Sequence, residues 1–551
     1  MTPATRPGGD RQQRGFALIA ALLVLMLTAI LAITYFTVTT GERTQSANVH
    51  VARNSLYAAD AGVRAIEQSF ANGGKFKLDS LTTYQSGTNP LIADPKVFFT
   101  SFINNGGGTV TSTNPPFSAS GTVSFYDSTL TPNAQAYDFL FTINSTGTRG
   151  TYGKRVVQSQ GILRVSASRG SFADFLLFTQ FHTMPDNSAI WFTSSSSFDG
   201  RMHTNGEFRF AYKPTFQDLT SSVNTKAWYY NGGGSARELA ANNNGTIDVP
   251  YFYGGFSRGV ASIALPTDPY NQQNAALGLP STSGVAPTNS QVRTALGLTG
   301  STAPPNDVYL VSSNGASITG GIYVQGDLTQ CVMRVDGAGN QVYVLKQGSS
   351  TDSVRVNRGT NQTTLYNSTW PSGHTYTGVP AGCLYTNGNV LDLRGPDRVG
   401  GVPPPALAHD TQLLVAAASD IVIQRDITCS DYATGNNVLG LYTTGGSVRI
   451  GTSAPSDMNL DAYIMAAGSS GAFSVDNYDS GNPRGTFHLR GGSVTTYYGA
   501  FFTFDNNGNL QTGYARDFHY DRRGLVPPYY PLTPKMNADV PTARTLSWKE
   551  L

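Results

Sequence analysis

The sequence predicts a mainly β protein, with a long N-terminal helix, an antiparallel sheet and a large inserted β-solenoid. Three observations predict it: an uncharged apolar stretch that leads into a helical seam, alternating apolar residues between 120 and 168, and short strands at regular spacing thereafter. The composition agrees, because 60 Gly and 29 Pro among 551 residues, with acids that are mostly Asp, favour turns over helices.

The N-terminal part is predicted to begin with a membrane-spanning helix. The segment from Phe16 to Thr40 contains no charged residue, and about 20 apolar residues suffice for a helix to cross a bilayer. The segment is too long for the apolar part of a cleavable secretory signal, and a buried globular helix is rarely apolar on every side. The arginines before it place the N-terminus in the cytoplasm and the remainder across the membrane.

Beyond this segment the helical pattern continues with one apolar face. Apolar residues recur at alternating steps of three and four, which predicts a helix that packs one side against another element. This seam consists of Val49, Ala52, Leu56, Ala59, Val63, Ile66 and Phe70. The helix is expected to end at Asn72-Gly73-Gly74, because glycine suits the C-terminal cap.

Two stretches of this region resemble type IV prepilins. Arg14-Gly15-Phe16, directly before the apolar segment, is similar to a prepilin leader, and residues 58–62 carry the A-A-x-A-G stretch of PilX-type minor pilins. The resemblance implies that a prepilin peptidase cleaves after Gly15 and that Phe16 becomes the methylated N-terminus. It also implies that other pilin subunits bind through the helix, and that the protein passes from the inner membrane to a pilus on the cell surface.

The fifth residue after the cleavage point departs from the pilin pattern. Most pilins have a Glu there, whose carboxylate meets the N-terminal amine of the neighbouring subunit, because a charge in apolar surroundings needs a partner. This sequence has Ala20. Tip or priming pilins of related secretion systems also tend to lack the carboxylate, so the resemblance implies a minor subunit at the filament tip. A membrane-anchored surface protein without a filament is the alternative.

An antiparallel sheet is predicted between residues 120 and 168, where Tyr137, Phe139, Phe141 and Ile143 alternate with polar residues. After about residue 170, short strands recur between turns, and Thr-Asn-Gly appears at both 204–206 and 386–388. Later strands start in steps of 30, 27, 23 and 23 residues, at Leu384, Leu414, Leu441, Ile464 and Phe487. Such spacing predicts a β-solenoid, although a sandwich or a propeller also consists of many short strands.

The predicted organisation inserts the solenoid into a pilin headgroup. The segments are a leader (1–15), a transmembrane helix (16–41), the headgroup (42–170), the solenoid with loop excursions (171–515) and a return segment to the sheet (516–551). This plan resembles competence-associated minor pilins that carry a β-solenoid grafted into a pilin fold. That resemblance implies a tip-located receptor for DNA during transformation.

The sequence indicates neither an enzyme nor a cofactor. It has no nucleophile elbow, P-loop, zinc-protease motif or dinucleotide fingerprint, and its histidines never fall at metal-ligand spacing. Residues 505–509 have their glycine at the fourth position instead of the sixth of a calcium loop, and are predicted to form a hairpin turn. Cys331, Cys383 and Cys429 are either three small buried residues or one disulfide and a free thiol.

A DNA receptor needs cations for phosphates and aromatic rings for bases. Because the net charge is only +2, such a site must be a local patch. The candidates are Arg209, Lys213, Lys226, Arg258, Arg516, Arg522 and Arg523. Each is otherwise an ordinary surface charge. Tyr- and Asn-rich loops equally suit adhesion to glycans or surfaces, so the alternative function is a pilus-associated adhesin or a priming factor without DNA binding.

Overall fold

A computed structural model of the chain describes residues 11–81, 108–130, 134–150, 153–194, 196–230, 235–239, 249–280, 285–505, 510–538 and 541–551. These residues form two compact units. The first contains the N-terminal helix, the strands up to Ser168 and the C-terminal residues from Asn537. The second runs from Arg169 to Met536, and is therefore inserted in the sequence of the first.

Helix α1 (Arg11–Leu81) begins before the predicted start and continues through Gly73-Gly74. The expectation that this glycine pair ends the helix is wrong, because each glycine costs only about 1 kcal/mol relative to alanine inside a helix. The most apolar 18-residue window of α1 has a mean hydropathy of 3.0, and none of it is buried in the structure. By length and composition, α1 is able to cross a membrane.

The sheet of the first unit is antiparallel, as predicted. Its strands β1 (Thr109–Thr113), β2 (Pro116–Leu130), β3 (Ala134–Arg149) and β4 (Gly153–Ser171) pair in sequence order. The last strands of the chain, β33 (Leu532–Ala538) and β34 (Thr542–Glu550), both pair with β4.

The seam of α1 packs on β3 and so forms the core of the first unit. Ala59, Val63, Ile66 and Phe70 are buried, and the Phe70 ring lies 6.3 Å from that of Phe141. The face of β3 that they cover consists of the predicted alternating residues Tyr137, Phe139, Phe141 and Ile143. Val49, the first residue of the predicted seam, is instead 52% exposed, so the packed part of the seam begins later.

Two glycines bring the helix and the sheet close together. A Cβ on Gly62, the last residue of the A-A-x-A-G stretch, would lie 2.1 Å from the Ser145 hydroxyl oxygen. A Cβ on Gly147 of β3 would lie 2.0 Å from the backbone oxygen of Ser55. The small residues of this stretch therefore have a packing role, because any side chain at these two positions would push α1 away from β3.

The second unit begins with short strands. They are β5 (Leu177–Phe181), β6 (Ser197–Phe198), β7 (Met202–Thr204), β8 (Arg209–Ala211), β9 (Thr215–Phe216), β10 (Thr220–Ser222), β11 (Trp228–Tyr230), β12 (Arg237–Glu238), β13 (Tyr251–Phe252) and β14 (Phe256–Arg258). Two short helices follow, α2 (Tyr270–Leu277) and α3 (Asn289–Ala295).

Longer strands make up the rest of this unit. They are β15 (Asp307–Ser313), β16 (Ser317–Gln325), β17 (Gln330–Val335), β18 (Gln341–Gln347), β19 (Ser350–Asn357), β20 (Gln362–Tyr366), β21 (His374–Thr377), β22 (Cys383–Asn387), β23 (Val390–Arg394), β24 (Gln412–Ala417), β25 (Ile421–Ile423), β26 (Val438–Thr443), β27 (Val448–Ile450), β28 (Asn459–Ala466), β29 (Ala472–Val475), β30 (Pro483–Tyr498), β31 (Phe502–Phe504) and β32 (Leu510–Tyr520). Residues 516–520, assigned above to the return segment, therefore belong to β32, which pairs with β30.

Parallel pairing between strands that are distant in sequence organises the second unit. One ladder follows the order β16, β22, β24, β26, β28, β30, β5, β7, β10 and β14, and a second follows β17, β23, β25, β27 and β29. Leu384, Val415, Leu441 and Ile464 are successive partners in the first ladder, and all four are fully buried. Strands β17 to β21 form an antiparallel meander between these ladders.

A ladder of polar side chains supports one corner of the stacked strands. The Asn389 N–H donates to the Asp327 carboxylate. The Asp420 N–H donates to the Asn389 side-chain oxygen, and the Ser447 N–H donates to the Asp420 carboxylate. These bonds are 2.8, 3.1 and 2.8 Å long. The abundance of Asp and Asn thus has a structural reason, because their short side chains satisfy backbone groups where the chain turns.

Candidate functional site

The start of the second unit has a core of stacked phenylalanines. The ring of Phe216 lies 5.8 Å from that of Phe198 and 5.0 Å from that of Phe252, with interplanar angles of 12° and 13°. Because side chains alternate between the two faces of a strand, the neighbours of Phe252 point the other way. Tyr251 and Tyr253 are accordingly 43% and 70% exposed.

These two tyrosines present parallel rings. Their centroids are 6.3 Å apart and their planes differ by 16°. The Tyr251 N–H donates to the Pro214 carbonyl at 2.8 Å, and the Tyr253 N–H donates to the Phe216 carbonyl at 2.9 Å. The backbone that carries the rings is therefore fixed by hydrogen bonds to the neighbouring strand.

Three further rings belong to the same part of the unit: Tyr230 ends β11, Tyr212 directly follows β8, and Trp191 precedes the bridge residue Phe192. The Tyr230 ring is 6.4 Å from that of Trp191 and 6.1 Å from that of Tyr212, and both pairs have edge-to-face geometry. Tyr212 has a left-handed backbone with φ of 60°, and its side chain is 45% exposed. A non-glycine residue pays about 1–2 kcal/mol for this conformation, and strain of this kind often occurs at functional sites.

Two of the predicted cations lie beside these rings. The Arg209 guanidinium is 5.8 Å from the centre of the Trp191 ring and donates to the Glu207 carboxylate at 2.9 Å. Lys213 follows Tyr212 and is exposed, and no carboxylate of the described residues forms an ion pair with it. The aromatic surface is the name used below for Trp191, Arg209, Tyr212, Lys213, Tyr230, Tyr251 and Tyr253.

Two other candidate cations, Lys226 just before β11 and Arg258 on β14, already have partners. Lys226 forms a 3.4 Å ion pair with Glu238. Arg258 donates to the Leu239 carbonyl at 3.0 Å, and its guanidinium lies 5.5 Å from the centre of the Phe256 ring. As DNA contacts, both residues remain predictions.

The remaining three candidates lie on β32 and in the turn after it. The Arg516 guanidinium sits 5.1 Å from the Tyr498 ring centre and 5.3 Å from that of Phe502, and burial lowers its pKa to about 10. Arg522 donates to the Asp199 carbonyl at 2.6 Å. Arg523 donates to the Asp521 carboxylate at 2.7 Å and to the Gly435 carbonyl at 3.1 Å. These contacts give Arg523 a structural role at the end of the stacked strands.

The three cysteines are free thiols in the structure. Cys331 and Cys383 are buried, and Cys429 is half-buried. The structure thus shows three separate thiols, each with its own contacts. The Cys383 thiol approaches the Gln272 carbonyl at 3.4 Å and the Cys429 thiol the Asn437 carbonyl at 3.9 Å. Burial raises the pKa of all three thiols to about 12.

We expect these thiols to be inert in the folded protein. The thiolate is the reactive form, and a pKa near 12 leaves almost none of it at pH 8. Alkylation with a maleimide reagent, followed by mass spectrometry, should label at most a trace of the native protein and all three sites after denaturation. Rapid labelling of Cys331 or Cys383 before unfolding would contradict this packing.

The described residues contain no group of three or more His, Cys, Asp or Glu placed to hold a metal ion. Sequence reasoning did, however, miss a surface cluster in which the Asp517 carboxylate lies 2.7 Å from His488 and 3.0 Å from His519. It also missed Trp191 of the aromatic surface. A signal for Trp191 was present, since it lies in the continuous apolar run of residues 189–192.

Two family models match parts of the chain. The PilX N-terminal family matches residues 14–64, and a domain of unknown function (DUF4900) matches residues 136–224. The match gives the chain a PilX N-terminus on a long apolar helix and supports a type IV pilin-like protein. Among solved structures it is similar to the competence-associated pilin ComZ from Thermus thermophilus, with 13% identity, 91% of this chain and 97% of that chain covered, and a TM-score of 0.26. No curated protein matches.

Proposed function

We propose that this type IV pilin-like protein is a minor, tip-located pilin that acts as a receptor for extracellular DNA in natural transformation. The aromatic surface carries the proposal, because it combines exposed rings with Lys213, an exposed residue next to Tyr212 in the sequence, and with the Arg209 guanidinium 5.8 Å from the Trp191 ring centre. Cations neutralise phosphates, and aromatic faces stack on bases, so this combination suits a nucleic acid.

The proposed route to the surface starts at the N-terminus. Prepilin peptidase removes residues 1–15 by cleavage after Gly15, and Phe16 becomes the methylated first residue. Residues 16–41 of α1 span the inner membrane with the N-terminus in the cytoplasm, and then join other pilin subunits in the filament. Ala20 supports a place at the tip, because a shaft subunit needs a carboxylate at that position to pair with its neighbour.

The second unit is the proposed receptor part. Its parallel ladders, with Leu384, Val415, Leu441 and Ile464 in register, support the interpretation as a β-solenoid. The chain enters this unit after β4 and returns to the first unit at its C-terminal end, so the solenoid would be inserted in the sequence of a pilin headgroup made of the rest of α1 and the antiparallel sheet. This headgroup domain would comprise residues 42–170 together with the returning C-terminal strands.

A role as an adhesin or priming factor without DNA binding is the second candidate. The pairing of Arg209 with Glu207 and of Lys226 with Glu238 favours it, because paired cations attract phosphates less strongly. In that case, loss of the protein would reduce piliation or attachment, and DNA uptake would fall only in proportion to pilus number.

DNA binding can be tested with the full-length protein in detergent micelles. We expect it to retain labelled DNA at low salt and to release it as salt rises. Lys213→Ala should weaken binding and flatten the salt dependence. Lys346→Ala, at an exposed lysine of β18 outside the aromatic surface, is the matched control.

The same pair of variants should be compared in cells. Transformation frequency should fall in Lys213→Ala cells whose pilus number equals that of the control strain. In a separate experiment, gold labelling of the wild-type protein on intact cells should place it at pilus tips. Failure of the wild-type protein to retain DNA at low salt would rule out the receptor role.

A further inference from the structure

We infer that the aromatic surface takes single-stranded DNA or an unstacked strand end, and not the body of a duplex. This inference rests on the proposed receptor function and names the form of DNA that the surface fits. Four observations lead to it: the spacing of two parallel rings, the accessibility of ring faces, the small number of cations and the rigidity of the remaining rings.

The parallel rings of Tyr251 and Tyr253 nearly fit a base between them. A planar ring stacks at about 3.5 Å from each neighbour, so a base between two rings needs a separation of about 7 Å. The observed centroid separation is 6.3 Å. A small outward rotation of the Tyr253 ring would widen the separation to about 7 Å, and the ring has room to rotate because its side chain is 70% exposed.

Ring faces reach bases only where the bases are unstacked. In a duplex both faces of each base are covered by the neighbouring pairs, and the outer surface consists of phosphates and sugars. Exposed aromatic side chains are therefore of little use against the body of a duplex. On a single strand each stacked base contributes about 5- to 100-fold in affinity.

The charge of the surface also fits a single strand better. Duplex binders typically contact about 6–10 phosphates with Lys and Arg. The aromatic surface, as defined above from the described residues, includes two cations, Arg209 and Lys213, and the first already pairs with Glu207 at 2.9 Å. Two cations guide a backbone across the surface but leave most phosphates of a duplex unmatched.

The other rings are held in place before any ligand binds. Tyr230 contacts Trp191 and Tyr212 edge to face, and the Tyr212 N–H donates to the Tyr230 carbonyl at 2.9 Å. A preorganised platform loses less conformational freedom on binding, which favours stacking of flexible strands. Tyr212 has the left-handed conformation described above, which sets the direction in which its ring leaves the backbone.

The test compares three labelled oligonucleotides of one sequence and length: a single strand, a blunt duplex and a duplex with a single-stranded overhang. Binding to the full-length protein in detergent is followed by fluorescence anisotropy at one salt concentration. We expect the single strand and the overhang to bind about tenfold or more tightly than the blunt duplex.

Variants assign the effect to the parallel rings. Tyr253→Ala should weaken single-strand binding about 5- to 100-fold and leave duplex binding unchanged, whereas Tyr253→Phe should retain single-strand binding. Tyr126→Ala, at a tyrosine of β2 that is 59% exposed, is the control for loss of any surface ring.

Two failures can be told apart. Equal binding of single strand and blunt duplex, unaffected by Tyr253→Ala, would overturn this inference and leave the receptor function standing. Absence of binding to all three oligonucleotides would overturn both.

Discussion

Replacement of Asp426 by alanine is expected to destabilise the second unit by about 3–5 kcal/mol, the usual cost of removing one partner of a buried ion pair. Asp426 is 1% exposed. Its two carboxylate oxygens accept bonds of 2.7 and 2.8 Å from the Arg398 guanidinium, and one also accepts the Asn459 N–H at 2.8 Å. Alanine would leave a charge and a backbone donor without their partner.

The pH dependence of stability offers a second readout of this pair. Burial by itself raises the pKa of Asp426, but the bonds from Arg398 and Asn459 outweigh it and hold the pKa below the ordinary value of 3.8. The pair therefore contributes stability above about pH 4, and the contribution is lost as the pH falls through the lowered pKa. Asp426→Asn should lack this acid-dependent loss.

Asp397→Ala is the matched control for Asp426→Ala. Asp397 also pairs with an arginine, Arg425, at 3.3 Å, but its side chain is 83% exposed. An exposed pair contributes about 0–1 kcal/mol. Denaturant titration of both variants, followed by circular dichroism, measures the difference. If Asp426→Ala lost no more stability than Asp397→Ala, the buried pair would not stabilise the stacked strands.

The sequence predicted the helix and the antiparallel sheet of the first unit, because the spacing of apolar residues in each segment is typical of one kind of secondary structure. Phe139, Phe141 and Ile143 alternate with polar residues, and one face of the antiparallel sheet is indeed buried against α1. The helix seam is also correct from Ala59 to Phe70. The apolar seam could not show where α1 begins to pack on the sheet. Val49 continues the three- and four-residue steps of the seam although no other element covers it.

The register of the parallel ladders was harder to predict, because these strands are buried on both faces. If the predicted strand starts were aligned, Leu384 would lie opposite Leu414, whereas in the structure it lies opposite Val415. Leu414 and Val415 are both fully buried, so hydrophobicity does not distinguish them. Where the spacing pairs Leu441 with Ile464, the structure has the same register.

The sequence also could not predict the contacts of the candidate site between residues that are far apart in the chain. The cations were chosen because they stand near aromatic residues in the sequence, and two of them, Arg209 and Lys213, belong to the aromatic surface defined above. The sequence could not show that Arg522 bonds to Asp199, because that partner is far away along the chain. Trp191 was missed for a similar reason, since only the isolated parallel bridge between its neighbour Phe192 and Phe210 brings it to β8.

The contact between α1 and β3 leads to the second prediction with a large effect. We expect Gly147→Ala to disrupt the first unit, because the new Cβ would lie 2.0 Å from the Ser55 oxygen and 2.3 Å from the Ala59 nitrogen. Both atoms belong to the helix backbone, so no rotation of a side chain relieves the overlap. Overpacking typically costs about 1–3 kcal/mol, and occasionally more, and a rigid helix gives the higher values.

Gly41→Ala is the control for this substitution. Gly41 is also a glycine of the first unit, but a Cβ there would meet no atom within 4 Å. Because glycine is less favourable than alanine inside a helix by about 0.5–1 kcal/mol, this variant should be unchanged or slightly more stable. The comparison therefore separates close packing from the general effect of adding a methyl group.

Limited proteolysis of the full-length protein in detergent distinguishes the two variants. Gly147→Ala should expose cleavage sites in β2 and β3, because loss of the helix uncovers the apolar face that contains Phe139 and Phe141. The second unit has its own core and should resist cleavage to the same extent in both variants. If the first unit of Gly147→Ala were as resistant as that of Gly41→Ala, α1 would be free to move away from β3 at little cost, and the small residues of the A-A-x-A-G stretch would need another explanation than close packing.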